Sequence, residues 1–229
     1  MIRLILGLLL LIGAAGCAAP PIATPVLERA PHGLSAQDLA ESVWTASPRV
    51  MRIHQTAHLS MRGREFQMIG LMELDTGKNE ARLVGLNEFG VKLFDLEVTE
   101  NDVTEHYLLP QISRFPQLSE AVGLSLRRIF LFPAPAPDQD ALSYSAGGYR
   151  LAGDRGEQKV LFQFGGDPVR LIEKTVYQGP EHWRVVFFDY QKSPQGDYPG
   201  RILLEDRQAG YRLELNIESV RIKDEPTEN

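Results

Sequence analysis

Residues 211–220, YRLELNIESV, place an apolar side chain at every second position. Tyr211, Leu213, Leu215 and Ile217 fall on one side, and Arg212, Glu214, Asn216 and Glu218 on the other. A period of two belongs to the β-strand, so this run reads as a strand with one face in a core and one in water. Residues 50–63, VMRIHQTAHLSMRG, repeat the pattern. Met51, Ile53, Ala57, Leu59 and Met61 oppose Arg52, His54, Thr56, His58, Ser60 and Arg62. In EFQMIGLMEL, Phe66, Met68, Met72 and Leu74 share a face. Further strands are expected at 79–87, 89–98, 102–109, 143–151, 157–164, 168–178, 182–192, 199–208 and 211–223. Turn signals such as Asp75–Gly77 and Asn87 separate them. Short connections favour antiparallel order, and a sheet of about eleven strands curls rather than staying flat.

Two stretches break the alternation. In LSAQDLAESVW, Ser35 and Asp38 make a capping-box pattern, and Leu39, Val43 and Trp44 give one apolar side, so a short helix is expected at 35–45. In FPQLSEAVGLSLRRIFLF, Leu118, Val122, Leu126, Ile129 and Phe130 recur at helical spacing, which predicts a helix over 116–131. Gly123 should weaken it by up to ~1 kcal/mol. PAPAPDQD at 133–140 alternates three prolines and reads as a loop. The expected fold is mainly β with two helices: a strongly curved antiparallel sheet, half of an open barrel, covered by the helices.

The first residues, MIRLILGLLLLIGAAGC, have a different purpose. Arg3, the apolar run Leu4 to Ile12 and the small residues Gly13 to Gly16 have the anatomy of a secretory signal peptide. Cys17, the only cysteine in the chain, ends it. A small-residue cleavage site ending on cysteine resembles the bacterial lipobox, with Ala14 where that pattern prefers Leu. The resemblance implies that Cys17 becomes the first residue and carries diacylglycerol. Each buried CH₂ then contributes roughly 0.8 kcal/mol to membrane anchoring. In such lipoproteins an aspartate after the cysteine retains the protein in the inner membrane. Ala18 follows here, which implies the periplasmic face of the outer membrane.

The chain therefore divides into a signal peptide at 1–16, an acylated Cys17 with a flexible, proline-rich tether at 17–33, one domain at 34–224 and a disordered tail at 225–229. Without Arg3, the 24 Lys+Arg fall to 23 against 30 Asp+Glu, a net charge of −7. That balance excludes nucleic acid as a partner and disfavours electrostatic docking on anionic lipid.

The layout of helix, about five strands, helix with loop and about six strands is similar to the periplasmic lipoprotein-localisation proteins, the carrier and its outer-membrane receptor. The closest local likeness is VVFFDYQKSPQGDYPGRILLEDRQAGYRLELNIESVRI, where a strand, a polar turn at Lys192–Asp197, Pro199 and a final alternating strand follow in order. The chain also resembles a family of uncharacterised bacterial lipoproteins of similar length. The resemblance implies a half-barrel with helices closing its concave side. No functional residue carries over from it.

Candidate chemistry is sparse. His54 and His58 lie roughly 13 Å apart on a strand at ~3.3 Å per residue, too far to share a metal ion. Ser125 stands in Gly-Leu-Ser-Leu-Arg, which is no nucleophile elbow. Gly147–Gly148 and Gly165–Gly166 are expected at turns. Neither an enzyme activity, a metal nor a cofactor is expected. The apolar faces remain. Met51, Ile53, Leu59, Met61, Phe66, Met68, Met72, Leu213, Leu215 and Ile217 are expected to line a cavity under a lid formed by Leu118, Val122, Leu126 and Phe130. Methionine is flexible and suits a site for varied chains. The expected ligand is an acyl chain, a lipid or another amphiphile, in lipoprotein or lipid transport. The alternative is an accessory or structural subunit of an envelope complex, with protein partners.

Overall fold

The computed structural model describes residues 24–25, 28–61, 63–115, 117–179 and 181–223. The expected signal peptide, Cys17 and the tail at 225–229 lie outside these residues. The described chain forms one antiparallel sheet of twelve strands. The first half supplies β1 (Val50–Met61), β2 (Arg64–Asp75), β3 (Glu80–Leu86), β4 (Lys92–Val98) and β5 (Val103–Leu108). The second half supplies β6 (Ala141–Ser145), β7 (Gly148–Arg155), β8 (Gln158–Gly165), β9 (Arg170–Gln178), β10 (Glu181–Gln191), β11 (Tyr198–Asp206) and β12 (Tyr211–Ile222). The spatial order is β5-β4-β3-β2-β1-β12-β11-β10-β9-β8-β7-β6. Hairpins build each half, and the first strand meets the last at the centre.

Two helices complete the fold. Helix α1 (Ala36–Glu41) starts at the expected capping box, with Ser35 accepting from the Asp38 N–H and Asp38 accepting from the Ser35 N–H. Helix α2 (Leu118–Leu126) continues into a π-helical turn, Arg127–Leu131. It is the crossing between the two sheet edges, β5 and β6.

The sequence predicts about eleven strands; the twelfth arises because 143–151 is not one strand. Ala146 and Gly147, at φ 51° and 84°, turn the chain between β6 and β7. Positive φ at both central residues is what a tight hairpin needs, and Ala-Gly is a weak signal for it.

Twelve strands at ~4.8 Å spacing would make a flat sheet about 50 Å wide. The fourteen residues of α2 and its π turn are about 20 Å long at ~1.5 Å rise. Yet Phe94 and Leu96 of β4, Leu151 of β7 and Leu126, Ile129, Phe130 and Leu131 share one core cluster. The sheet must therefore curl around the helix, as the sequence implied, and it stays open because β5 and β6 do not pair. At Gly123 the helix approaches β5 closely: a Cβ there would overlap the Val103 side chain. The helix-weakening glycine is thus required by packing.

The described residues of the expected tether touch the domain: the Thr24 hydroxyl donates to the Glu173 carboxylate (2.7 Å). The Gly166 N–H donates to the Glu28 carbonyl (3.0 Å), and the Ala30 N–H to the Gly147 carbonyl (2.8 Å). The Tyr149 hydroxyl donates to the Pro31 carbonyl (2.8 Å) and accepts from the Leu34 N–H (3.1 Å). Ala30 is buried in the core.

Candidate functional site

Register decides where the inner face opens. β3 ends at Leu86, opposite Ile69, so Arg64–Met68 of β2 extend past it. Five residues at ~3.3 Å make an overhang of about 16 Å. On the other side β12 supports β1 to the tip, pairing Tyr211 with Met61. The inner face of this hairpin carries Leu59 opposite both Phe66 and Leu213, and Ala57 opposite Met68. Met61 is 39% exposed and Phe66 47%, while Leu59, Met68 and Leu213 are half-buried. The overhang is an apolar mouth.

Beyond the mouth the inner face is closed by α2 and its π turn. Leu126, Ile129, Phe130 and Leu131 sink into the core, and Phe130 meets Trp44 edge-on at 6.0 Å. Polar groups bolt this lid down on both sides. The Arg127 Nε donates to the Thr99 carbonyl after β4 (2.7 Å). Arg128, buried, pairs with Asp206 of β11 and donates to the Tyr211 hydroxyl (3.3 Å), which is 3.2 Å from Ser125 Oγ. The Arg128 guanidinium lies 5.1 Å from the Trp183 ring centre, a cation–π contact. The loop after the lid is pinned by Asp140, whose carboxylate accepts from both Nη atoms of Arg155 (2.8 and 2.9 Å) and from the Ala136 N–H (2.8 Å).

Beneath that loop sits Lys174 of β9. Its ammonium donates to the Pro133 carbonyl (3.3 Å) and lies 5.9 Å from the Trp183 ring. Burial penalises the charged form and pulls its pKa down to about 7.

The ten expected lining residues thus divide. Leu59, Met61, Phe66, Met68 and Leu213 form the mouth. Met51, Ile53, Met72, Leu215 and Ile217 are core, each 6% exposed or less, and share one packed cluster with Leu126, Ile129, Phe130 and Leu131. Of the lid residues, Leu126 and Phe130 are buried, and Leu118 and Val122 are half-buried. His54 pairs with Glu218 (2.9 Å) on the outer face and His58 is exposed. Sequence reasoning missed the polar layer of Arg128, Asp206, Tyr211, Trp183 and Lys174. Its signal was readable in LIEKTV, where a lysine occupies the apolar phase of a strand.

Comparison with solved structures finds similar chains. A LolA superfamily protein, NE2245 from Nitrosomonas europaea, is similar over 85% of this chain and 96% of its own, with a TM-score of 0.55 at 13% identity. A DUF1329 family protein from Desulfovibrio piger matches 82% of this chain and 92% of its own, at TM-score 0.49 and 10% identity. A domain from Vibrio parahaemolyticus, assigned as an outer membrane lipoprotein-sorting protein, matches 85% and 93%, at 0.49 and 9%. The first of these establishes a LolA-like fold for this chain. Curated proteins give no match. A family model matches residues 52–220, from the third residue of β1 to two residues short of the end of β12, and the chain belongs to that family, described as a protein of unknown function, DUF3261.

Proposed function

We propose that this protein is a non-enzymatic, lipid-anchored periplasmic protein of the outer membrane that binds an amphiphile on the inner face of its sheet. The bound group is an acyl chain, either of a lipid or of another lipoprotein in transit. The observation that carries this reading is the mouth: Met61 and Phe66 stand exposed on the same face as the core, at the end of a strand pair that overhangs its neighbour. A purely structural sheet would gain by covering such residues, because each large apolar side chain contributes about 1.5–3 kcal/mol when fully buried. The LolA-like fold and the lipobox-like Cys17 support the same reading. With Leu126, Ile129, Phe130 and Leu131 packed in the core, binding along the inner face requires α2 to move off it.

The test is displacement of a fluorescent long-chain fatty acid from the mature chain carrying Cys17→Ser. Saturable binding that is lost in Phe66→Asp, with an unchanged thermal midpoint, is expected. A folded protein that binds no probe, and instead retains a stoichiometric envelope protein on purification, would replace this reading with that of an accessory subunit. Cys17 itself is tested by labelled palmitate, which should enter the wild type and not Cys17→Ser.

A further inference from the structure

Lys174 is the residue the fold accommodates least well. β9 turns Leu171, Lys174 and Val176 inward, and Lys174 stands between Phe162 and Val185, both 0% exposed. An ammonium has three donors. Among the described residues this one has a single acceptor, the Pro133 carbonyl, and no carboxylate within ion-pair distance. Its cationic neighbour Arg128, on the same Trp183 ring, is neutralised by Asp206. When protonated, Lys174 is therefore a cation without a carboxylate partner among the described residues of the layer under the lid. Burying an ion without a partner costs several kcal/mol. An apolar residue of similar length would fill the same place without that penalty, so packing alone gives no reason for a lysine here.

Its position in the register supplies one. Lys174 pairs with Val185, Val185 with Leu204, Leu204 with Leu213, Leu213 with Leu59, and Leu59 with Phe66. This is one unbroken row across six adjacent strands, apolar at every step after the lysine. Five strand spacings of ~4.8 Å make about 24 Å along the sheet, the reach of an extended long-chain acyl group. One end is the buried cation, and the other is the exposed mouth.

We infer that the ligand is an anionic amphiphile whose headgroup is received by the Lys174 ammonium while its chain lies along the Val185–Leu204–Leu213–Leu59 row toward Phe66. This inference rests on the amphiphile reading above and narrows it to a ligand with a carboxylate or phosphate at one end. In the closed state the Pro133 carbonyl holds the place of the anion, and the ligand displaces it as the lid loop lifts. The anion then supplies the charge-assisted hydrogen bonds that the closed state lacks.

The experiment compares three ligands of equal chain length on the mature Cys17→Ser chain: oleate, lysophosphatidic acid and neutral monoolein. The wild type should bind at least one anion about tenfold or more tighter than monoolein, and the tighter of the two identifies carboxylate or phosphate. Lys174→Met should bind all three alike, at the monoolein level, with a thermal midpoint equal to or above the wild type. Lys174→Gln, which keeps a donor for Pro133, should lose the preference in the same way. An anion preference that survives both substitutions, or no preference in the wild type while monoolein still binds, overturns the inference and leaves the amphiphile reading standing. Failure of all three ligands to bind overturns both.

Discussion

Removing the Asp140 carboxylate should loosen the lid loop more than any other single polar change near it. The side chain is 0% exposed, and that of Arg155 is 11%. The pair is a bidentate fork at 2.8 and 2.9 Å, and Asp140 also accepts the Ala136 N–H. Asp140→Ala leaves a mostly buried guanidinium without its anion and a backbone donor without its acceptor. Breaking a buried pair from one side destabilises by about 3–5 kcal/mol. For a domain of this size each kcal/mol moves the midpoint by about 2–4 °C, so a fall of roughly 6–20 °C is expected. Thermal unfolding followed by circular dichroism measures it. The double variant Asp140→Ala/Arg155→Met removes the orphaned charge as well and should recover part of the loss. Single variants within 2 °C of the wild type, or a coupling energy below about 0.5 kcal/mol in the cycle, would refute the reasoning.

Three further outcomes follow from the packing. Gly123→Ala, which stabilises an ordinary exposed helix by about 1 kcal/mol, should here destabilise by about 1–3 kcal/mol, because the new methyl meets Val103; urea unfolding gives the sign. Tyr149→Phe removes the hydroxyl that holds Pro31 and Leu34, and should hasten proteolytic cleavage between residues 24 and 35 while costing about 1–3 kcal/mol in global stability. Lys174, pulled down to about 7 by burial, binds fewer protons folded than unfolded between pH 7 and its ordinary value near 10.5. Stability should therefore rise with pH across that window, by up to about 1.4 kcal/mol per unit, and be flat below it. The groups around it, Arg128 and Asp206, form their own pair. The Lys174→Met curve should lack this slope, which then appears as the difference between wild type and variant.

The alternation of β1, β2 and β12 was enough to place the inner face correctly, because a one-residue slip would turn every side chain outward. Long-range order was less legible. Nothing in the spacing of apolar residues says that β1 pairs with β12, which is a consequence of hairpins closing on each other. Gln55 sits in the apolar phase of β1 and is buried, accommodated because its partner Gly70 has no side chain. Gln55 and Lys174 are alike in this: an alternation defined by its apolar members does not mark the polar residue that shares their phase. The mouth was legible as residues but not as a place. Exposure at Met61 and Phe66 arises from the different lengths of β2 and β3, and strand ends are set by pairing that sequence does not reveal. The helical spacing of the lid is plain in the sequence, yet its fit into the curl depends on Gly123, which helix propensity alone counts against the helix.

The amphiphile reading is tested most directly by photo-crosslinking at two positions of β2 that face opposite ways. Met68 lies on the inner face at the mouth, and Leu71 is 44% exposed on the other. A photo-reactive phenylalanine analogue at each, in protein made in the periplasm and purified without detergent, is irradiated and examined by intact mass. A lipid-sized adduct at position 68 and none at 71 is the expected result. Equal labelling at both, or none at either in a folded protein, would contradict a ligand on the inner face.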